Sequence, residues 1–158
     1  SSAASDVYKR QAFMYAPGAS LADEQTALDT ESSGDRKITV DGVIGLEKES
    51  QRLSHAVILR YGMMYGEGTW YGKGGMIYNQ FKAGKAQVSK GVTSFVHIED
   101  TVEAAVAALT LEPGIYNITD DEPVGGEEWA NWYAQQLQVS PEIEFFPAQP
   151  FELSLIHI

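Results

Sequence analysis

The segment GEGTWYG at positions 66–72 combines three glycines with two large aromatic side chains, so its backbone could surround the phosphates of a nucleotide. A phosphate-binding glycine loop must leave a strand and open a helix at once, because free N–H groups and the helix dipole then meet the phosphates. Here the preceding strand is expected to end at Arg60, further glycines at 72–75 prolong the loop, and the third glycine comes one place late. We therefore predict that this segment lines a site and does not hold phosphate.

The other residues that could do chemistry are three histidines, an acidic run and an aromatic stripe. His97 falls on one face of an expected strand, where a hydrogen-bonded structural role is common, and no His-x3-His pair points to a transition metal. The run DDE at 120–122 lacks the alternating ligands of a calcium loop, so we expect a solvated turn and no metal site. Trp129, Trp132 and Tyr133 have helical spacing, which allows either a sugar platform or a helix face packed on a core.

The composition limits the partners. Of 158 residues, 11 are Lys or Arg and 22 are Asp or Glu, giving a formal net charge of −11 at pH 7. This excess argues against nucleic acid or an anionic membrane surface, because both are bound through basic clusters. No apolar run approaches the roughly 20 residues of a membrane helix. The sequence contains no cysteine, which excludes disulfides and thiolate metal sites and fits a cytoplasmic protein.

Hydrophobic periodicity predicts strands that alternate with helices. A helix is expected over residues 40–54, with Val43 on its apolar face and Glu47 on its wet side. A continuous apolar strand should follow at 55–60, and a loop rich in glycine and aromatic residues at 61–75.

The second half of the chain continues this alternation. A short helix from Met76 should end at Gly84, a strand should run over 92–99, and a helix should follow Asp100 as its N-cap. Four apolar residues of that helix share one face and should pack on the core: Val102, Ala105, Val106 and Leu109. Three elements complete the chain: a strand at 115–118, a helix that carries the aromatic stripe, and an edge strand at 143–146. This order predicts an α/β fold with at least part of a parallel sheet.

Both ends of the chain resemble translated sequencing-adapter strings that flank metagenomic gene fragments, SSAASDVYKRQ at 1–11 and LSLIHI at 153–158. Such strings are set aside before fold reasoning. We therefore expect that residues 12–152 represent the natural protein and that the chain is a metagenomic fragment cut at both ends.

Three segments in order resemble the extended short-chain dehydrogenases/reductases, the NAD-dependent epimerase/dehydratase family. The stretch VILRYGMMYGEG at 57–68 is similar to that family's LR-x4-YG-x-G strand and loop. The stretch FVHIEDTVEAA at 95–105 is similar to its segment F-hydrophobic-H-V-D-D, and GIYNI at 114–118 to its late strand G-x-Y-N-hydrophobic. The resemblance covers approximately residues 12–140.

The resemblance implies the C-terminal part of a Rossmann-like NAD(P)-binding fold with a small substrate lobe. The half that carries the glycine loop would be missing, so NAD or NADP would bind the full-length parent, and no tight binding is expected for this fragment. By the same resemblance Tyr61, Gly62 and Met63 would lie near the nicotinamide end of the cofactor. Four residues would line the substrate side: Tyr65, Trp70, Tyr71 and His97. For Trp70 and Tyr71, anchoring of the loop in the core is an equal alternative.

In this family a Tyr and a Lys four residues later act together, the Tyr as general acid/base and the Lys to lower its pKa and hold the ribose. Tyr78 and Lys82 have this spacing, but they follow the Arg60 segment, whereas the family's pair precedes it. In the helix before Arg60, alignment on Glu47 puts Thr39 and Val43 at the two positions. The usual dyad is therefore expected to be absent, and Tyr15, Tyr61 or Tyr65 would be the nearest substitutes, with Tyr15 preferred as site acid or hydrogen-bond donor.

Two classes of function remain open. The first is an NAD(P)-dependent oxidoreductase, epimerase or dehydratase that acts on a sugar nucleotide or another small carbonyl or hydroxyl substrate. The second is a non-catalytic dinucleotide-binding or regulatory protein on the same fold, which the missing dyad favours. A free-standing aromatic carbohydrate-binding module fits the helix–strand alternation poorly. The relatives are commonly dimers, so a homodimer of the parent is also open.

Overall fold

The structure is a computed structural model that describes residues 7–11, 14–16 and 22–147. Its central sheet consists of three parallel strands. Strand β2 (Val57–Tyr61) lies in the middle, between β1 (Val7–Gln11) and β7 (Gly114–Ile118). Every residue of β2 is buried, as its continuous β-branched and apolar sequence predicts for a strand covered on both faces. The α/β fold with a parallel sheet is therefore confirmed.

The other strands form three two-stranded sheets around this centre. Strand β3 (Met63–Tyr65) pairs in parallel with β6 (Phe95–His97), and β4 (Lys85–Ser89) pairs in parallel with β9 (Glu142–Phe146). Strand β5 (Val92–Thr93) pairs antiparallel with β8 (Val124–Gly125). Helices occupy four further segments: α1 (Gly34–Ser50), α2 (Met76–Lys82), α3 (Ile98–Ala107), which continues as a short 3₁₀ turn, and α4 (Gly126–Leu137).

Four hydrophobic clusters among the described residues separate a sheet region, which holds three of them, from a smaller lobe, which holds the fourth. In the sheet region, β2 packs against Val96 and the alanines of α3, while Val40 and Val43 of α1 pack on Met14. In the lobe, Phe81 of α2 and Tyr133 of α4 pack on β4 and β9. A small lobe with its own core, beside the parallel sheet, is the arrangement that the family resemblance implied.

Several predicted elements are confirmed in place: β2, α2, β7, α4 and β9. Gly84, which follows α2, has φ +83, a left-handed conformation that glycine adopts without strain and that ends the helix as expected. Strand β4 was not predicted, because its residues 85–89 alternate charged or polar with small side chains and give a weak strand signal.

Helix α1 corrects two predictions. It runs over Gly34–Ser50 and not 40–54, since its first turns carry too few apolar residues to show a period. Glu47, expected on the wet side, is buried because it pairs with the equally buried Arg60 of β2. The predicted loop at 61–75 also contains a strand, β3, and the predicted strand at 92–99 is interrupted at Ser94.

Helix α3 differs from two further predictions. It begins at Ile98, one turn earlier than expected, and its N-cap is His97, whose Nδ1 accepts a hydrogen bond from the Glu99 N–H, so Asp100 lies inside the first turn. The apolar residues Val102, Val106 and Leu109 face outward, 57%, 63% and 57% exposed, while small alanines face the core.

The structure describes only some of the residues at the two predicted boundaries of the natural protein, 11/12 and 152/153. Val7–Gln11 of the adapter-like segment forms β1, whereas residues 1–6 and 153–158 lie outside the described residues. The assignment of both ends as adapter-like stays a prediction. Within the described ranges no helix is long and apolar enough to cross a bilayer.

Candidate functional site

A cavity of about 710 Å³ opens between the sheet region and the lobe, within the usual range for ligand sites. Tyr65 is the last residue of β3 and Asp120 follows β7, so one wall is built from the carboxyl ends of parallel strands, where α/β proteins bind ligands. Helix α4 forms the opposite wall. Six aromatic side chains line the cavity: Tyr65, Tyr71, Phe95, Trp129, Trp132 and Tyr133.

The aromatic rings pack edge to face around Tyr71. Its ring centroid lies 5.4 Å from Phe95, 5.6 Å from Trp129 and 6.1 Å from Tyr133, each at a steep interplanar angle. The Tyr133 hydroxyl donates a hydrogen bond to the Tyr71 carbonyl oxygen. These contacts hold the rings in fixed orientations, since edge-to-face pairs are favourable at such distances. Trp132, by contrast, is 58% exposed at the cavity mouth.

Three carboxylates complete the cavity wall, Asp120, Glu122 and Glu128, and the described lining contains no Lys or Arg. Burial, together with a hydrogen bond to Asp120, raises the pKa of Tyr65 to about 12. Burial raises the pKa of Tyr133 to about 12 as well. At neutral pH these hydroxyls are therefore protonated, and they serve as hydrogen-bond donors and not as bases.

A second group of polar side chains is buried in the sheet region. The guanidinium of Arg60 donates from Nε and Nη2 to both carboxylate oxygens of Glu47, at 2.9 and 2.7 Å, and from Nη1 to the Tyr15 hydroxyl at 2.8 Å. The Tyr15 hydroxyl donates in turn to Asn117 Oδ1 at 2.6 Å. We call Glu47, Arg60, Tyr15 and Asn117 the buried polar chain.

Tyr15 lies inside this chain and not in the cavity wall. Its side chain is fully buried, and burial raises its pKa, an effect that the neighbouring Arg60 partly offsets. Its ring also lies under the guanidinium, 5.1 Å from Cζ of Arg60. The role of Tyr15 as a site acid stays a prediction, and the hydroxyl is held by two protein partners.

The predicted cofactor residues stand at the carboxyl end of β2. The Tyr61 hydroxyl donates to the Thr101 carbonyl oxygen at 2.9 Å, and burial raises its pKa. A Cβ at Gly62 would lie 2.5 Å from the Ser94 carbonyl oxygen, so only glycine fits there. The Met63 N–H donates to that same oxygen at 2.8 Å. The two hydrogen bonds join β2 to α3 and the first residue of β3 to the residue that precedes β6.

The four residues predicted for the substrate side separate into two pairs. Tyr65 and Tyr71 lie in the cavity wall. Trp70 is 54% exposed and His97 caps α3 with its ring 5.1 Å from Tyr65, and neither lines the cavity. Whether any of the four contacts substrate stays a prediction.

Sequence reasoning missed part of the cavity wall. Asp120 and Glu122 were expected only in a solvated turn, and Phe95 and Glu128 were given no role, yet all four line the cavity. One signal was available for α4, where Trp129, Trp132, Tyr133 and Gln136 recur at one-face spacing. No grouping of His, Asp or Glu that could hold a metal occurs within the described ranges.

Comparison with known proteins gives one curated relative and many similar folds. No family model matches the chain. A "3-diazoavenalumate denitrifying reductase" of a Streptomyces species is 43% identical over 89 residues, which is 54% of this chain and 29% of that protein.

Two solved structures illustrate the fold. The UDP-glucose 4-epimerase of Thermus thermophilus in complex with NAD is 22% identical, with a TM-score of 0.65 over 95% of this chain and 54% of that one. The dTDP-glucose 4,6-dehydratase of Bacillus anthracis in complex with NAD is 16% identical, with a TM-score of 0.69 over 96% of this chain and 52% of that one. The chain therefore has the Rossmann-like fold of NAD-dependent epimerases and dehydratases, and it spans about half the length of these proteins.

Proposed function

We propose that the chain is the C-terminal half of an NAD(P)-dependent oxidoreductase, epimerase or dehydratase that acts on a sugar nucleotide or another small carbonyl or hydroxyl substrate. The observation that carries the proposal is the shared fold, which extends over nearly the whole chain and half of each NAD-bound neighbour. The reductase name of the curated relative supports redox chemistry.

The residues at the carboxyl end of β2 fit a bound nicotinamide group. The Thr119 hydroxyl is buried without a hydrogen-bond partner among the described residues, and its methyl group would lie 3.1 Å from a Cβ at Gly62. An unpaired buried hydroxyl is costly unless a ligand or water satisfies it, so this position suits a polar ligand group. When bound, the cofactor would supply or accept hydride.

The protein's own residues would make room for the cofactor, orient the substrate and exclude water. Gly62 lets the backbone pass close to the Ser94 carbonyl oxygen and leaves room next to Thr119. In the cavity, the raised pKa of Tyr65 keeps its hydroxyl protonated, so Tyr65 would orient substrate together with the Asp120 carboxylate. The rings of α4 would exclude water from the bound substrate.

A second function, a non-catalytic dinucleotide-binding protein, rests on the positions aligned with the Tyr–Lys dyad. The Thr39 hydroxyl donates to the Asp35 carbonyl oxygen at 3.2 Å on an exposed face of α1, and Val43 is fully buried. Neither position offers a group that exchanges a proton near neutral pH. A protein of this kind would bind NAD(P) in its full-length form without turnover.

The test uses the full-length parent, obtained with its adjoining coding sequence. Absorbance at the reduced-nicotinamide band, followed with a panel of nucleotide sugars and small carbonyl compounds, should fall with an active substrate. Tyr15→Phe should lower kcat if Tyr15 is the site acid, whereas Tyr116→Phe, which removes a hydroxyl bonded to the Glu112 carbonyl, should not. Cofactor binding without any turnover would instead support the non-catalytic function. For the chain alone we expect no micromolar NADH binding, measured as fluorescence enhancement.

A further inference from the structure

The cavity is lined by aromatic rings and by carboxylates, which are all negatively charged. Its six rings surround a space of about 710 Å³, and its three ionisable carboxylates, Asp120, Glu122 and Glu128, stand without a basic partner in the described lining. We infer that this cavity binds a flat aromatic ring that carries a positive charge, and that it disfavours a diphosphate.

Two of the three tyrosine hydroxyls that line the cavity face protein acceptors. The Tyr133 hydroxyl donates to the Tyr71 carbonyl oxygen, and the Tyr65 hydroxyl interacts with the Asp120 carboxylate. Besides the Tyr71 hydroxyl, the cavity therefore presents to a ligand mainly the faces of six aromatic rings and the oxygens of three carboxylates. The face of an aromatic ring is electron-rich and attracts cations, most strongly for Trp, and aromatic cages recognise quaternary ammonium groups in this way.

The positions of the charges reinforce this preference. Asp120 is half-buried beside Tyr65, while Glu122 and Glu128 are exposed at the rim, so a ligand that enters passes three negative charges. The neighbouring Glu127 is paired with Lys90 at 3.0 Å and does not line the cavity. An anionic phosphate would meet only like charge, which costs binding free energy, whereas a cation would be attracted at every step.

Trp132 is the residue best placed to close over such a ligand. It stands one turn from Trp129 on α4, is 58% exposed, and is the only one of the six rings without a ring contact among the described residues. A large exposed aromatic side chain at the mouth of a cavity leaves its face available for stacking on a ligand.

This inference rests on the proposed function where it takes the cavity to be the substrate site, and it narrows the substrate class. Among the substrates open above, it favours a small aromatic compound with a positive charge over a sugar nucleotide. The binding preference itself is a property of the chain and requires no nicotinamide.

Isothermal titration calorimetry on the chain at low ionic strength tests the preference with three benzyl probes of similar size and with UDP-glucose. Benzyltrimethylammonium should bind about tenfold more tightly than neutral benzyl alcohol, because of cation–π and charge attraction. Benzylphosphonate should bind more weakly than benzyl alcohol, and UDP-glucose should show no binding at the same concentrations.

Matched variants locate the site. Trp132→Ala should weaken benzyltrimethylammonium binding about fivefold or more, and the control Leu109→Ala, which removes a similarly exposed apolar side chain outside the cavity, should not. Glu128→Gln should weaken binding of the cation about two- to fivefold and leave benzyl alcohol unchanged, whereas Glu127→Gln should change neither.

Tighter binding of benzylphosphonate or UDP-glucose than of the cation would overturn the inference, and so would equal losses of cation affinity in the Trp132 and Leu109 variants. Circular dichroism checks that each variant is folded, and the three-probe series on the unaltered chain decides the question if a variant is not. If the parent shows nicotinamide-dependent turnover but binds the cation no better than the neutral probe, only this inference is refuted. If the parent prefers the cation but never uses nicotinamide, only the proposed function is refuted.

Discussion

The substitution Glu47→Gln should destabilise the fold far more than its position on a surface helix suggests. The Glu47 carboxylate accepts two hydrogen bonds from Arg60, at 2.9 and 2.7 Å, and the two side chains are only 7% and 4% exposed. An amide at position 47 has one oxygen to accept one of these bonds, and its NH2 group would face the other guanidinium N–H.

The expected cost follows from the charge that is left behind. Removing one partner of a buried ion pair leaves the other charge desolvated and unpaired, which costs about 3–5 kcal/mol. Arg60 would lose the one buried carboxylate that pairs with it among the described residues and keep only neutral partners, the amide oxygen and the Tyr15 hydroxyl. Since domains of this size are stable by about 5–15 kcal/mol, the loss is a large share of the total.

Urea unfolding followed by circular dichroism at pH 7 measures the change. The matched control is Glu49→Gln on the same helix, whose pair with Arg52 is 64% and 75% exposed and should cost less than about 1 kcal/mol. The double variant Glu47→Gln/Arg60→Met should be more stable than Glu47→Gln alone, because it removes the stranded charge. Equal losses at positions 47 and 49 would refute the reasoning.

Three further predictions use the same unfolding assay. Gly62→Ala should lower the free energy of unfolding by about 1–3 kcal/mol, because its Cβ would lie 2.5 Å from a backbone carbonyl oxygen. Gly45→Ala, at an open position of α1, should raise the free energy of unfolding by about 0.5–1 kcal/mol, and similar effects at both sites would contradict this reasoning. His97→Ala should cost about 0.5–2 kcal/mol by removing the N-cap acceptor of α3, and no loss of stability would argue against the cap. Because the pKa values of Tyr65 and Tyr133 are raised to about 12, the folded state holds these protons more tightly than the unfolded state, so their stabilising contribution is complete below pH about 10 and is lost as pH rises toward 12. Phenolate absorbance and unfolding recorded against pH would contradict this if all tyrosines titrated together near pH 10.

The sheet and its neighbours were predictable because their signals are local. Strand β2 is continuous and β-branched, β7 follows a Pro–Gly stop, and α2 ends at a glycine with positive φ. Tyr65 and Tyr71 were also predicted near a site, and the structure places both in one cavity wall.

What the sequence did not predict depends on partners distant in the chain. Glu47 looked solvent-facing because nothing local shows that Arg60, on the next strand, would reach it. Periodicity grouped Val102, Ala105, Val106 and Leu109 on one face of the helix, but only Ala105 packs on the core and the other three are exposed, because the alanines allow close approach to the sheet from a different side of α3. The cavity wall likewise joins Asp120 to α4 only in three dimensions.

The proposed nicotinamide-dependent activity is tested most directly by the absorbance of reduced nicotinamide during incubation of the full-length parent with candidate substrates. A substrate-dependent loss of that absorbance is expected. A parent that binds the cofactor but leaves the absorbance unchanged with every substrate would contradict it and point to the non-catalytic function.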